Sequence, residues 1–169
     1  MKLISHRVLL AIAVFNLTFL SSTATADKVG VESLSAEVRT ILKKEMVAVD
    51  LAMKDIISAN TEGDLKKIAS IAKQIQDSFI LKQSLTKHQK HELHTKLTAD
   101  FIRQDQQFHY MAGMLSHAAE MNKPELINFY YSELFEACSS CHKSYAEHRF
   151  PHFSSEANSS EAKEAQHGH

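Results

Sequence analysis

The sequence predicts an all-α chain folded as an antiparallel four-helix bundle. Three observations lead there. Glycine and proline are scarce, 4 and 2 among 169 residues, and sheet folds consume both in their tight turns. Apolar side chains recur at alternating intervals of three and four along four separate stretches, the period of a helix with one buried face. The links between those stretches are short, which makes consecutive helices neighbours that run in opposite directions.

The first helix is read in residues 32–60, where Leu34, Val38, Ile41, Leu42, Met46, Val49, Met53, Ile56 and Ile57 draw one stripe. Gly63 breaks it, and Asp64 is placed to cap the next helix through its carboxylate. The second stripe is Leu65, Ile68, Ala72, Ile75 and Phe79. Leu85 to His94 is polar, but Thr86 with Gln89 has the spacing of a capping box that opens a short helix. The third stripe runs through Phe101, Asp105, Phe108, Ala112, Leu115 and Ala119. Asn122 suits an N-cap and Pro124 a first helical turn. The fourth stripe is Leu126, Tyr130, Leu134, Ala137 or Cys138, Cys141 and Tyr145, and Pro151 is expected to end it.

Both ends have different composition. Lys2 and Arg7 precede a mostly apolar run, Val8 to Leu20, and Ala24-Thr25-Ala26 ends in the small residues that a signal peptidase requires. Residues 1–26 are therefore read as a cleavable export signal, too short in its apolar run to serve as a membrane span. The domain is expected over 27–153. Residues 154–169 carry little apolar content and are expected to form a disordered polar tail. With the leader removed, no stable span remains. The whole chain has net charge −1, and the leader takes two bases and no acid with it, so there is no basic footprint for nucleic acid. The expected compartment is the periplasm, where two idle thiols would tend to oxidise.

The chemistry concentrates in the last stripe. Residues 138–142 read Cys-Ser-Ser-Cys-His, the pattern for covalent attachment of a c-type haem. On a helix, positions i, i+3 and i+4 share a face. The two thiols can thus reach the two vinyl groups of one haem, while the imidazole of His142 reaches its iron. A redox dithiol is less apt, because no βαβ pattern surrounds the pair. A zinc site would need distant histidines, because there is no second cysteine pair. No methionine follows His142, so a further iron ligand must come from an earlier helix.

With CSSCHKSYA near its end and a methionine in its first helix, the chain resembles the class II cytochromes c, the cytochrome c′ group, over about residues 32–151. A methionine-ligated low-spin branch is closer still. It shares a first-helix Met (Met46), a segment like Asp77–Leu81, an Asp-x-x-Phe-His pattern (Asp105–His109) and the Cys-x-x-Cys-His…Arg-Phe-Pro ending (Cys138–Pro151). The resemblance implies a four-helix bundle with one haem c on its C-terminal helix, with Cys138, Cys141 and His142 as its attachment and proximal ligand. It also implies a possible homodimer paired through the first two helices. In that group an Arg or Lys usually follows the haem histidine closely, and Lys143 or Arg149 stands in for it here.

For the distal side, Met46 is the first choice, since a thioether favours ferrous iron and raises its potential. Met53, seven residues on, is the next methionine. His109 is the main alternative, with Asp105 one turn before it to orient the ring; as an interior histidine it would instead simply hydrogen-bond to that carboxylate. His88, His91 and His94 are spaced by three but suit a solvated face, and His167 and His169 are equally weak candidates. Phe129, Tyr130, Tyr131 and Phe135 are expected to pack the core or the haem.

The expected function is a periplasmic monohaem cytochrome carrying single electrons between redox partner proteins. It is not expected to be an enzyme, because no nucleophile and base pair up in the sequence. The alternative is a five-coordinate protein that binds nitric oxide or carbon monoxide.

Overall fold

The computed structural model describes residues 30–78 and 80–153. The expected leader, the tail with His167 and His169, and Phe79 lie outside the described residues. Every regular element within them is helical: α1 (Ala36–Glu62), α2 (Leu65–Asp77), α3 (Leu81–Ser84), α4 (Lys87–Lys96), α5 (Ala99–Glu120) and α6 (Pro124–Tyr145), with single 3-10 turns at Val31–Ser33, Glu147–Arg149 and Pro151–Phe153. No described helix is long and apolar enough to cross a membrane.

The ends of these helices follow from local chemistry. The Ser35 hydroxyl accepts from the Val38 amide and starts α1. Gly63 closes α1 in the left-handed region, φ 71°, where a side chain would be strained. Asp64 caps α2 through the Lys67 amide, 3.0 Å away. Thr86 and Gln89 form both halves of the expected capping box at α4. Thr98 caps α5 through the Phe101 amide.

Two boundaries differ from the sequence reading. Asn122 does not cap α6. It adopts φ 54° at the end of α5, a conformation Asn tolerates better than most residues, and Lys123 takes the N-cap position ahead of Pro124. Nor does α6 run to Pro151. It ends at Tyr145, where the Ala146 amide turns back to the His142 carbonyl, 3.0 Å away.

The helices pack as a bundle, with α2 against α5, α5 against α6 and α1 against α2 as the main interfaces. Small residues let α2 and α5 approach closely. The Ser116 hydroxyl donates to the Ala69 carbonyl at 2.9 Å, Ala72 and Ala112 are fully buried between them, and Gly113 leaves room for the Gln76 side chain.

The apolar interior forms two clusters. The larger includes Val49, Met53, Ile56, Ile68, Ile75, Leu115, Ile127 and Leu134. The smaller consists of Leu34, Val38, Leu97 and Phe101, with Leu42, Cys141 and Tyr145 packed against it. The segment ahead of α1 is tied in by polar contacts. The Glu92 carboxylate accepts from the Ser35 amide and hydroxyl, and His148 lies 2.8 Å from Glu32.

Candidate functional site

The Cys-Ser-Ser-Cys-His segment lies inside α6, short of the end of its last turn. Neither cysteine is in a disulfide, and both are half-buried. Helical geometry places Asn128, Tyr131, Phe135, Cys138 and His142 along one side of α6, at steps of three or four. That side faces α1. The Tyr131 hydroxyl donates to the Met53 carbonyl at 3.3 Å, and Asn60 and Asn128 join through their side chains at 3.4 Å. On α1, Leu42, Met46, Met53 and Ile57 form the opposing row by the same geometry.

This seam between α1 and α6 is incompletely closed. Met46 is 40% exposed and Phe135 63% exposed; Ile57 is exposed as well. Cys141 packs against the smaller apolar cluster, and Cys138 belongs to neither. An apolar surface therefore remains open on both walls at the level of the motif.

The electrostatics match this placement. Burial pushes the Cys138 thiol up, and Asp50 of α1 adds to the shift. Burial likewise pushes Cys141 up to about 11, with Asp105 of α5 and Cys138 contributing. Carboxylates on α1 and α5 thus both disfavour the thiolate forms. Burial lowers the His142 pKa and favours the neutral imidazole, which is the form that binds a metal. The Phe150 ring stacks on that imidazole, 4.2 Å between centroids and 13° between planes.

His109 points elsewhere. Its Nδ1 lies 2.6 Å from the Ile75 carbonyl at the end of α2. Nε2 lies 3.6 Å from Asp105. The ring fastens α5 to α2 through the Ile75 carbonyl, while Asp105, expected to accept its hydrogen bond, stands beside the other nitrogen at ion-pair distance. Met53 is a core residue, 7% exposed. Tyr130 and Tyr131 pack against the larger cluster, whereas Phe129 and Phe135 lie outside both clusters and are exposed. Lys143 and Arg149 are exposed, as are His88, His91 and His94 on α4. Among the described residues no three His, Cys, Asp or Glu side chains converge to hold a metal ion, so the zinc reading finds no remaining ligands there.

Two neighbours of the motif, Asp50 and Phe150, and the buried Glu45 of α1 were given no role in the sequence reading. Asp50 is four residues after Met46, which is a detectable helical spacing. Phe150 lies beyond the helix end, and nothing in the pattern places it on His142. Glu45 is almost fully buried, 1% exposed. The signal for it was present: it occupies the core register between Val38 and Val49.

The donor set fits a covalent c-type haem: two unpaired thiols and a neutral imidazole on one helix, against an apolar wall that carries a thioether. No family model, curated protein or solved structure matches this chain.

Proposed function

We propose that the chain is a periplasmic monohaem c-type cytochrome that carries single electrons, built as an antiparallel four-helix bundle. In this reading Cys138 and Cys141 hold the haem through thioether bonds, His142 is the proximal ligand and Met46 the distal one. One observation carries it: the motif sits on an uninterrupted helix, and its half-buried side chains border an apolar seam that ordinary core residues leave open. The pairing of the end of α1 with the start of α6 through Asn60 and Asn128 supports opposite directions for these helices.

When bound, the haem supplies a one-electron couple whose potential follows its axial ligands and burial. The chain's own residues do the rest. Neutral His142 is held in one plane by Phe150, and little of the protein then has to rearrange when charge changes. Met46, from the opposite wall, supplies a neutral soft donor. Phe135 and Ile57, each more than half exposed, present apolar surface beside the seam to a redox partner.

The exposure of Met46 favours one second reading. A distal donor free of the core yields more easily than a buried one, and the same site would then bind nitric oxide or carbon monoxide. Export of the full chain in a cell that attaches haem c, followed by a haem stain on a denaturing gel and intact mass, tests the common premise. A stained band with the mass of one added porphyrin is expected. A colourless mature chain of unmodified mass removes both readings. The reduced spectrum with and without carbon monoxide separates carrier from gas binder.

A further inference from the structure

Glu45 precedes Met46, and its carboxylate leaves α1 for the link between α2 and α3. One oxygen accepts from the Ser78 hydroxyl at 2.8 Å. The other accepts from the Ile80 amide at 2.6 Å and the Leu81 amide at 3.1 Å. Ser78 itself sits at φ 61°, a region that L side chains seldom enter, and that turn presents its hydroxyl and two amides to the carboxylate.

Between Val38 and Val49, Glu45 is the one residue of α1 that is buried. Apolar packing therefore anchors α1 above and below this level, and at this level a polar tether replaces it. The difference matters for direction. Apolar contact tolerates sliding and rotation, whereas hydrogen bonds weaken steeply off their axis. Consecutive helical residues are about 100° apart around the axis. A tether that fixes the direction of Glu45 toward α2 therefore also fixes the direction of Met46 toward α6.

We infer that Glu45 is the positioning residue for Met46: its bonds to Ser78, Ile80 and Leu81 set the rotation of α1 where the methionine meets the seam. The inference rests on the reading of Met46 as the distal ligand. The long, flexible Met side chain cannot supply this orientation by itself, and with 40% of its surface exposed few contacts of its own restrict it.

The test compares Glu45→Gln, Glu45→Ala and Ser78→Ala in the haem-loaded full chain with Ile56→Val, a core change lower on α1, and with Met46→Ala. The ferrous spectrum and the fraction of protein that binds carbon monoxide are read beside a thermal melt. The carbon monoxide-reactive fraction is expected to rise in the order wild type, Glu45→Gln, Glu45→Ala, with at least a tenfold gain in the last. Ser78→Ala should rise as well, and Ile56→Val should stay at the wild-type level although it melts earlier. In the haem-free chain, hydrogen exchange at the Ile80 and Leu81 amides should quicken in the Glu45 variants only. If Met46→Ala alters the spectrum while Glu45→Ala and Ser78→Ala do not, the inference is overturned and the ligand reading stands. If Met46→Ala changes nothing, the ligand reading has failed and the inference with it. Equal gains in Ile56→Val would reduce the effect to general loosening and overturn the inference too. Should Glu45→Ala not accumulate, Ser78→Ala removes one bond and carries the same comparison.

Discussion

Met46 and Met53 lie seven residues apart on one helix, and the proposed reading gives them opposite duties. Fully burying a methionine side chain is worth about 1.5–3 kcal/mol. Met46 is 40% exposed, so truncation to alanine forfeits roughly 1–2 kcal/mol in the haem-free chain. Met53 is 7% exposed within the larger cluster, and its truncation also leaves a cavity, for a total of about 2–5 kcal/mol. At roughly 4 °C per kcal/mol for a chain of this size, Met46→Ala lowers the apoprotein melting point by about 4–8 °C and Met53→Ala by about 8–20 °C. The spectrum should order them the other way. Met46→Ala turns the ferrous haem protein from low spin to high spin, and Met53→Ala keeps it low spin. Circular dichroism melts of the apoprotein and absorption spectra of the reduced holoprotein measure both. A low-spin Met46→Ala variant, or a high-spin Met53→Ala variant, would refute the assignment.

The other predictions concern residues around the site. His109→Ala should keep the low-spin spectrum but cost about 1–3 kcal/mol, since it leaves the Ile75 carbonyl without its imidazole partner; a spectral collapse would move the ligand role to His109. The Ser35 amide, then burial working against it, then the Ser35 hydroxyl and Lys96 act on Glu92, and the net effect lowers its pKa from 4.5. A carboxyl whose folded pKa is depressed stabilises above its unfolded value and loses that contribution as pH falls through the folded one. Acid titrations of the apoprotein should therefore begin to destabilise it below pH 4.5, and Glu92→Gln should flatten that limb while lowering the neutral-pH melting point. An unchanged limb would free Glu92 from this role. With the Cys141 thiol pushed up to about 11 and Cys138 also raised, iodoacetamide at pH 8 should alkylate the native apoprotein at least tenfold more slowly than the urea-unfolded chain. Equal rates would place the thiols in solvent.

Much of the scaffold was legible because its signals are local. Asp64, Gly63 and the Thr86–Gln89 box announce helix ends through side chains that act within a turn, and the structure bears them out. The four long stripes correspond to α1, α2, α5 and α6. What was not legible depends on distant partners. Asn122 reads equally well as a cap before α6 or as a left-handed stop after α5, and packing decides. Phe129 and Phe135 look like core residues by type, yet both lie outside the two apolar clusters and are exposed. The inward-facing acids illustrate the limit best. Glu45 falls in the core register and Glu92 in a charged stretch, yet for neither does the pattern name the distant backbone amides it is buried against. A pattern-based reading sees the carboxylate and not the amides waiting for it.

The division of the interior into two apolar clusters bears on how a large flat guest could be admitted. In an unbroken core, making room means evicting well-packed side chains, at several kcal/mol for each cavity rearranged. Cys138 belongs to neither cluster, and on the proposed reading a planar ring system would lodge beside it while Ile56, Leu115 and Leu134 keep their neighbours. The tight α2–α5 pair, fastened by Ser116 and Ala69, stands on the other side of the molecule. On that reading the scaffold would be complete before its occupant arrives, and would lose that occupant without coming apart.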